Sequence, residues 1–311
     1  MILCQSEGIV IQASSGLFQV ETDCGVIECM ARAGADPGAI VLGDRVLVSP
    51  QPAGRGIIES SMPRKTRFSR KVAGRRQDEQ VIAANLDQVV IVLAAAEPPF
   101  KETTLDRYLA AVEHYGLDAV VCINKIDLAS TSNPVSAPDL VGRAEVYTRI
   151  GYMVIMTSAT TGSGIDPLRQ ALEGRVSALV GPSGAGKSSL VCAVSPGVSL
   201  DTGEISASTG KGRHTTTCSR LIKLDSGGYV ADTPGMREFG FHQISRDELA
   251  WCFKEFRAHA ESCKFADCKH IKEPGCGVRK AAEQGLVSHR RYEHYLRLMG
   301  GVSPGNHIVV C

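Results

Sequence analysis

Over the first 62 residues the apolar positions fall into short β-type runs: GIVIQASS, LFQVET, VIECMARA and RVLVSPQP. Gly, Pro and Asp punctuate them in GADPGA, LGDR and PAGRG. Short strands at close intervals, with no helical period between them, predict a small barrel or sandwich. From Val81 the pattern changes. LDQVVIVLAA, DAVVCINK and VSALVGPS are near-continuous apolar runs, and the helix-like TTLDRYLAAVEHYG lies between the first two. Strands buried on both faces and alternating with helices predict a parallel α/β sheet. After about Phe241 the chain turns polar and helical, with ISRDELAWCFKEF and VRKAAEQGLVSHRRYEHYLRLM on either side of a Cys/His cluster. The sequence holds no internal repeat or low-complexity tract.

A chain of 311 residues has room for two or three modest domains, and 43% apolar content is ordinary for globular protein. The net charge of +1 averages segments of opposite sign. Residues 1–60 carry three basic residues (Arg32, Arg45 and Arg55) against seven acidic ones, a net of −4. The following PRKTRFSRKVAGRR gathers Arg64, Lys65, Arg67, Arg70, Lys71, Arg75 and Arg76 with no acid, which suggests an exposed loop or linker. No apolar run approaches the roughly 20 residues that span a bilayer. The start lacks the basic end and long apolar run of a secretory signal. Eleven mostly scattered cysteines in a chain with its own core point to a reduced, cytoplasmic protein with no membrane partner.

Four motifs carry chemistry. VSALVGPSGAGKSSL is a strand running through G-x-x-x-x-G-K-S into an apolar helix, the context a phosphate-binding loop requires. Gly181, Gly184 and Gly186 permit a tight turn, and Pro182, Ser183, Ala185 and Ser189 complete the loop. Lys187 is expected on the β- and γ-phosphates and Ser188 on Mg²⁺. Asn124-Lys125-Ile126-Asp127 follows the run DAVVCI and reads as N-K-x-D. Asp127 can accept from the N1–H and N2–H₂ of guanine together, a pattern adenine cannot meet. Asn124 is expected to tie neighbouring loops, and the Lys125 stem to lie over the base. Thr157-Ser158-Ala159 matches the loop whose backbone meets the guanine O6, bringing Ser158 and Ala159 to the base. Asp232-Thr233-Pro234-Gly235 fits D-x-x-G, with Asp232 toward Mg²⁺ and Gly235 N–H toward the γ-phosphate. Between the phosphate loop and D-x-x-G, GKGRHTTTCS has the threonines of a switch loop; Thr215, Thr216 and Thr217 are all open as the Mg²⁺ cap, with Thr217 the working candidate. The order is base, base, phosphate, switch, switch. Moving the first two elements to the end restores the usual GTPase order, so the chain reads as circularly permuted.

With this order, and with NKID, TSA, GPSGAGKSS, GRHTTT and DTPG together, nearly the whole chain resembles the ribosome-small-subunit-dependent GTPase A family. The resemblance implies an oligonucleotide/oligosaccharide-binding (OB-type) β-barrel over 1–66, a basic linker over 67–80, a permuted α/β P-loop GTPase domain over 81–240 and a mainly α zinc-binding domain over 241–311. It implies a monomer that hydrolyses GTP to GDP and phosphate, faster when bound to the small ribosomal subunit and its rRNA, late in that subunit's maturation. Cys263, Cys268, His270 and Cys276 have the spacing C-x4-C-x-H-x5-C. Three thiolates and an imidazole suit tetrahedral Zn²⁺ with no open position, although the spacing alone leaves free thiols open. The resemblance implies one structural zinc. Where many GTPases place a water-orienting Gln after D-x-x-G this chain has Met236, as the family also has an apolar residue. His214 in GRHTTT is the candidate to position or deprotonate the attacking water. Arg64–Arg76 and Arg290-Arg291 are expected against rRNA phosphates, whereas the acidic bias of residues 1–60 is awkward for a barrel that touches RNA. DTPGMREFGF leads straight into the zinc-domain helices, which suggests switch-to-ribosome coupling near Gly240. Two other readings stay open: a GTP-gated rRNA-binding placeholder in which hydrolysis only resets binding, and a P-loop kinase or ATPase.

Overall fold

The computed structural model describes residues 5–14, 16–34, 36, 39–71, 79–132, 136–198, 219–232 and 244–301. Its strands are β1 (Ser6–Ser14), β2 (Leu17–Thr22), β3 (Gly25–Ala31), β4 (Arg45–Gln51), β5 (Arg55–Ser61), β6 (Arg67–Lys71) and β7 (Glu79–Ala84). They continue with β8 (Gln88–Ala94), β9 (Asp118–Asn124), β10 (Met153–Met156), β11 (Val176–Val180), β12 (Ser219–Lys223) and β13 (Tyr229–Asp232). The helices are α1 (Glu102–His114), α2 (Ile126–Ser132), α3 (Ser136–Ile150), α4 (Ile165–Leu172) and α5 (Lys187–Val194). Four more follow, α6 (Arg246–Leu249), α7 (Arg257–Ala260), α8 (Gly277–Glu283) and α9 (His289–Gly301). The chain folds into two compact bodies. One gathers Met1–Val89, Ile165–Val180 and Lys187–Arg237; the other gathers Val90–Gly164, Gly181–Gly186 and Glu238–Cys311.

In the first body β1 pairs antiparallel with both β2 and β4, β2 with β3, and β4 with β5. Parallel pairing of β3 with β5 closes the ring β1-β2-β3-β5-β4 into a five-stranded barrel. Alternation places Val10, Phe18, Val20, Cys29, Val46, Val48 and Ile58 inside it. Gly8 marks a close approach of strands, because a Cβ there would lie 2.5 Å from Val20 Cγ1. The barrel does not end at its own edge. β1 also pairs antiparallel with β12, Gln12 opposite Arg220 and Ala13 opposite Ser219, and β12 pairs in turn with β13. Tyr229 Oη donates to Glu21 Oε2 at 2.8 Å and Lys223 pairs with Glu21, clipping β2 to the same hairpin.

The basic stretch expected as a loop or linker is partly a strand, since Arg67–Lys71 forms β6 against β7. The reason is one apolar anchor among the charges: Phe68 is buried, while Lys65 and Arg67 remain exposed. Arg64 is not available to RNA. Its Nε and a terminal nitrogen donate to both oxygens of the buried Asp44, at 2.6 and 2.7 Å, and the same terminal nitrogen reaches Ala39 O.

In the second body the strands run in the order β10-β9-β8, with β9 and β10 parallel. Every residue of β8 is buried, as its unbroken apolar run predicts. In ISRDEL, Ser245 and Glu248 cap α6 reciprocally: Ser245 Oγ accepts from Glu248 N–H, and Glu248 Oε2 from Ser245 N–H. Helix α9 is fixed to α1 by a buried polar cluster. Arg291 donates to Asp106 at 2.5 Å and, in a fork, to Glu255 at 2.5 and 3.0 Å. Tyr147 Oη donates to the same Asp106 at 2.8 Å, and His294 Nδ1 meets its other oxygen. The expectation that Arg291 meets phosphate is therefore wrong. Its side chain is only 3% exposed, whereas that of Arg290 beside it is 61% exposed. Arg291→Ala would leave two buried carboxylates without their cation, and we expect a loss of about 3–5 kcal/mol in urea unfolding. Arg291→Lys should rescue little, because a single ammonium nitrogen cannot replace three separate guanidinium nitrogens, two forked on Glu255 and the third on Asp106.

Among the described residues no helix is long and apolar enough to cross a membrane.

Candidate functional site

Two sites emerge from the residues singled out above. The first is built at strand ends of the second body. Gly181 has φ +142°, and a Cβ there would lie 2.0 Å from Val92 O, so the loop that starts here is pressed against β8. Gly186, at φ +91°, leaves room for the Asn124 amide, 2.3 Å from where its Cβ would be. Asn124 ends β9 with 1% exposure. Its Nδ2 donates to Ala185 O at 3.0 Å, while Oδ1 accepts from Thr157 Oγ1 at 3.2 Å and Ala159 N–H at 3.3 Å. One buried amide thus joins the phosphate-type loop to the 157–159 loop. Ser158 shapes its own loop, its hydroxyl accepting from Thr161 N–H at 3.1 Å.

Lys125 has φ +61° and donates from Nζ to Glu97 O at 2.6 Å. The segment after β8 is held at two points by the end of β9, because Ala95 N–H also donates to Asn124 O at 2.7 Å. Sequence reasoning missed this segment, whose signal was only a Glu-Pro-Pro turn at a strand end. It missed Cys122 as well, which touches Thr157 Oγ1 at 3.3 Å beneath the loops and whose thiol is pushed to about 11 by burial. The most informative atom is Asp127 Oδ1. It is buried and has no hydrogen-bond partner within the described protein. A carboxylate oxygen out of water with nothing donating to it is a costly arrangement that a ligand's N–H groups would relieve.

Pro182 and the exposed Ser183 and Gly184 continue the loop. Lys187, Ser188 and Ser189 begin α5 in the first body, where Leu190, Val191 and Val194 anchor the helix and Ser188 is 8% exposed. Asp232 ends β13 opposite Arg220 of β12, their charged groups 3.7 Å apart. His214, Thr215, Thr216, Thr217, Gly235, Met236 and Gly240 lie outside the described residues.

The second site is a cluster of donors. Cys263, Cys268, His270 and Cys276 bring their ligand atoms within 4.8 Å of one another. His270 Nδ1 lies 3.5 Å from Cys263 Sγ and 3.4 Å from Cys276 Sγ, and the two sulfurs are 4.0 Å apart. Tetrahedral zinc, with Zn–S about 2.3 Å and Zn–N about 2.0–2.1 Å, needs ligand atoms roughly 3.5–3.8 Å apart, so the group can hold a metal. Gly277 N–H donates to Cys263 Sγ and Arg279 N–H to Cys276 Sγ, bonds that favour thiolates. Burial pushes the Cys268 thiol up to about 12 and lowers His270, leaving the imidazole neutral as a ligand must be. Sequence reasoning also missed Glu273. Its carboxylate accepts from the N–H groups of Lys269, Ile271 and Lys272 at 2.8–2.9 Å. Burial would raise this acid, but those bonds prevail and hold it at about 2. Tyr292 and Tyr295 of α9 donate to His270 O and Lys269 O, pinning the same turn.

A family model described as RsgA GTPase matches residues 61–242. The small ribosomal subunit biogenesis GTPase RsgA of Gemmatimonas aurantiaca is 43% identical over 94% of this chain and 95% of its own. That of Moorella thermoacetica is 41% identical over 95% and 97%. The crystal structure of YjeQ from Thermotoga maritima superposes with a TM-score of 0.79 at 34% identity, covering 96% of this chain and 98% of that one. The structure of YloQ, a circularly permuted GTPase, gives 0.78 at 31%, covering 96% and 95%. A family match across more than half of the chain, joined to such relatives along nearly all of it, makes the conclusion plain: the chain belongs to the RsgA GTPase family and is a circularly permuted GTP hydrolase.

Proposed function

We propose that this GTPase binds the maturing small ribosomal subunit and hydrolyses GTP there to assist or check its completion. The relatives are named for small-subunit biogenesis, and they align with almost the whole chain. The observation that carries the nucleotide choice is the buried, unpartnered Asp127 Oδ1 beside the Asn124 tie. In this reading Asp127 accepts from guanine, the Lys125 stem covers the base, and the loop of Ser158 and Ala159 faces its O6, where the Ala159 N–H would exchange its 3.3 Å bond to Asn124 Oδ1 for one to the base. Gly181 through Ser189 surround the phosphates, and the Gly235 N–H senses the γ-phosphate. Ser188, Asp232 and Thr217 offer the hard oxygen donors that Mg²⁺ takes. Mg²⁺, when bound, neutralises charge across the β- and γ-phosphates. Met236 cannot orient a water, so we assign that task to His214. Cys263, Cys268, His270 and Cys276 hold one structural Zn²⁺. We keep the domain limits 1–66, 67–80, 81–240 and 241–311, and a monomeric, cytoplasmic protein without a membrane partner.

Among the described basic residues considered for rRNA phosphates, Lys65, Arg67 and Arg290 remain exposed, while Arg64 and Arg291 are committed to buried carboxylates. The test is GTP turnover with and without small subunits at two salt concentrations. Alone, the protein should turn over within the roughly 10⁻⁴–10⁻² s⁻¹ of unassisted GTPases. Small subunits should accelerate it strongly, and salt should weaken the effect. Intact GTP binding with no stimulation at either salt would reject the ribosome-activated reading.

A further inference from the structure

Arg220 occupies a particular place in the first body. It lies on β12, between the barrel and the strand that delivers Asp232, with Gln12 of β1 opposite it on one side and Asp232 of β13 on the other. Its guanidinium approaches the Asp232 carboxylate to 3.7 Å, and both groups are partly exposed. Asp232 is the carboxylate read above as the one facing Mg²⁺, and the inference rests on that reading. A fixed cation beside a carboxylate lowers the potential available to a second cation arriving at the same oxygens. We propose that Arg220 is the resident counter-cation of Asp232, which Mg²⁺-bound nucleotide must displace, making Arg220 the residue that sets the protein's magnesium requirement.

The placement gives this competition a mechanical consequence. Arg220 follows Thr217 by three residues, and Asp232 begins DTPG, so β12 and β13 border both switch segments in the chain. The strand that carries Arg220 is hydrogen-bonded to the barrel through β1, and the barrel is clipped to the same hairpin by Glu21 with Lys223 and Tyr229. Releasing Arg220 from Asp232 therefore acts on β12, the strand that joins β13 to the barrel. Arg220 is a positioning residue here. It need not touch the reacting atoms.

The experiment measures the affinity of a fluorescent GDP and of a non-hydrolysable GTP analogue across buffered Mg²⁺ concentrations, including excess chelator. The variants are Arg220→Gln, Arg220→Lys and Asp232→Asn. Arg220→Gln should lower the half-saturating Mg²⁺ about two- to fivefold, the range expected for a partly exposed pair. Its nucleotide affinity in chelator should not change, and Arg220→Lys should stay near the parent. Asp232→Asn should raise the Mg²⁺ requirement tenfold or more. If it does so while Arg220→Gln needs as much Mg²⁺ as the parent, or more, the inference fails and the Asp232 reading stands. If Asp232→Asn leaves the requirement unchanged, the reading of Asp232 fails and takes the inference with it. Should Arg220→Gln not fold, Arg220→Met keeps the aliphatic stem and carries the same test.

Discussion

Stripping the metal with a chelator, or substituting Cys263→Ser, is expected to unfold the turn between α7 and α8 while β8, β9 and β10 persist. The residues themselves give the reason. From Glu261 to Cys276 there is no regular element, and only His270 and Cys276 are buried. Fixing a residue's backbone costs about 1–2 kcal/mol, and almost no apolar burial in this segment offsets that cost. Metal binding supplies the largest single share, since structural Zn²⁺ in small domains contributes an apparent 10–16 kcal/mol or so. The Glu273 carboxylate and the hydroxyls of Tyr292 and Tyr295 hold the shape of the turn, but they are too few to order it alone. Hydrogen exchange would read the result as lost protection over residues 261–276 with protection kept in β8. Trp251, the single tryptophan, lies 5.1 Å from the Arg257 guanidinium at the start of α7 and gives a fluorescence signal for the same event. The sign of the pH effect follows from the ligands. Protons compete with metal for thiolates, and burial pushes Cys268 up to about 12, so metal should be lost as pH falls and held more tightly as it rises. Unchanged protection after complete chelation would show that the turn folds without metal.

What the sequence revealed and what it hid divide along physical lines. The alternating runs between residues 8 and 52 announced four of the five barrel strands, because one face of each is buried inside a barrel and period two records that, whereas β5 (Arg55–Ser61) was hidden behind the PAGRG turn. The motifs were legible because their chemistry needs fixed residue types at strand ends. Asn124 shows this well: its amide spans two loops that only a carboxamide of that length can join. The pairing of β1 with β12 was not legible, since a ladder between Gln12 and Arg220 leaves no local period in either segment. Charge misled for a similar reason. Arg64 and Arg291 look like their basic neighbours in the sequence, and only the fold brings Asp44, Asp106 and Glu255 to them. The helical spacing of Arg291, His294 and Tyr295 on α9 could have warned that Arg291 shares a face with buried groups. Glu273 carried no signal beyond its position between His270 and Cys276.

Asp127→Asn should weaken guanine nucleotide binding about 10²–10⁴-fold, because it removes two charge-assisted acceptor bonds of about 1.5–3 kcal/mol each. The direction of the new preference is also fixed by chemistry. Asparagine presents an N–H where aspartate presented a lone pair, so guanine's N2–H₂ meets a donor, whereas xanthine, with a carbonyl at that carbon, meets a match. Affinity for XDP should therefore rise as affinity for GDP falls, and ADP should stay weak. Asp127→Ala should lose GDP without gaining XDP. Stability separates this role from a structural one. A buried carboxylate oxygen with no partner costs free energy in the protein without nucleotide, so neither variant should lower the melting temperature measured without nucleotide, and Asp127→Ala should hold or raise it. With saturating GDP the order reverses, since only the parent gains the stabilisation that a tightly bound ligand brings. A GDP affinity within threefold of the parent in Asp127→Ala would remove Asp127 as the base reader. A melting temperature that falls without nucleotide would instead make Asp127 a structural residue whose partner is the protein itself.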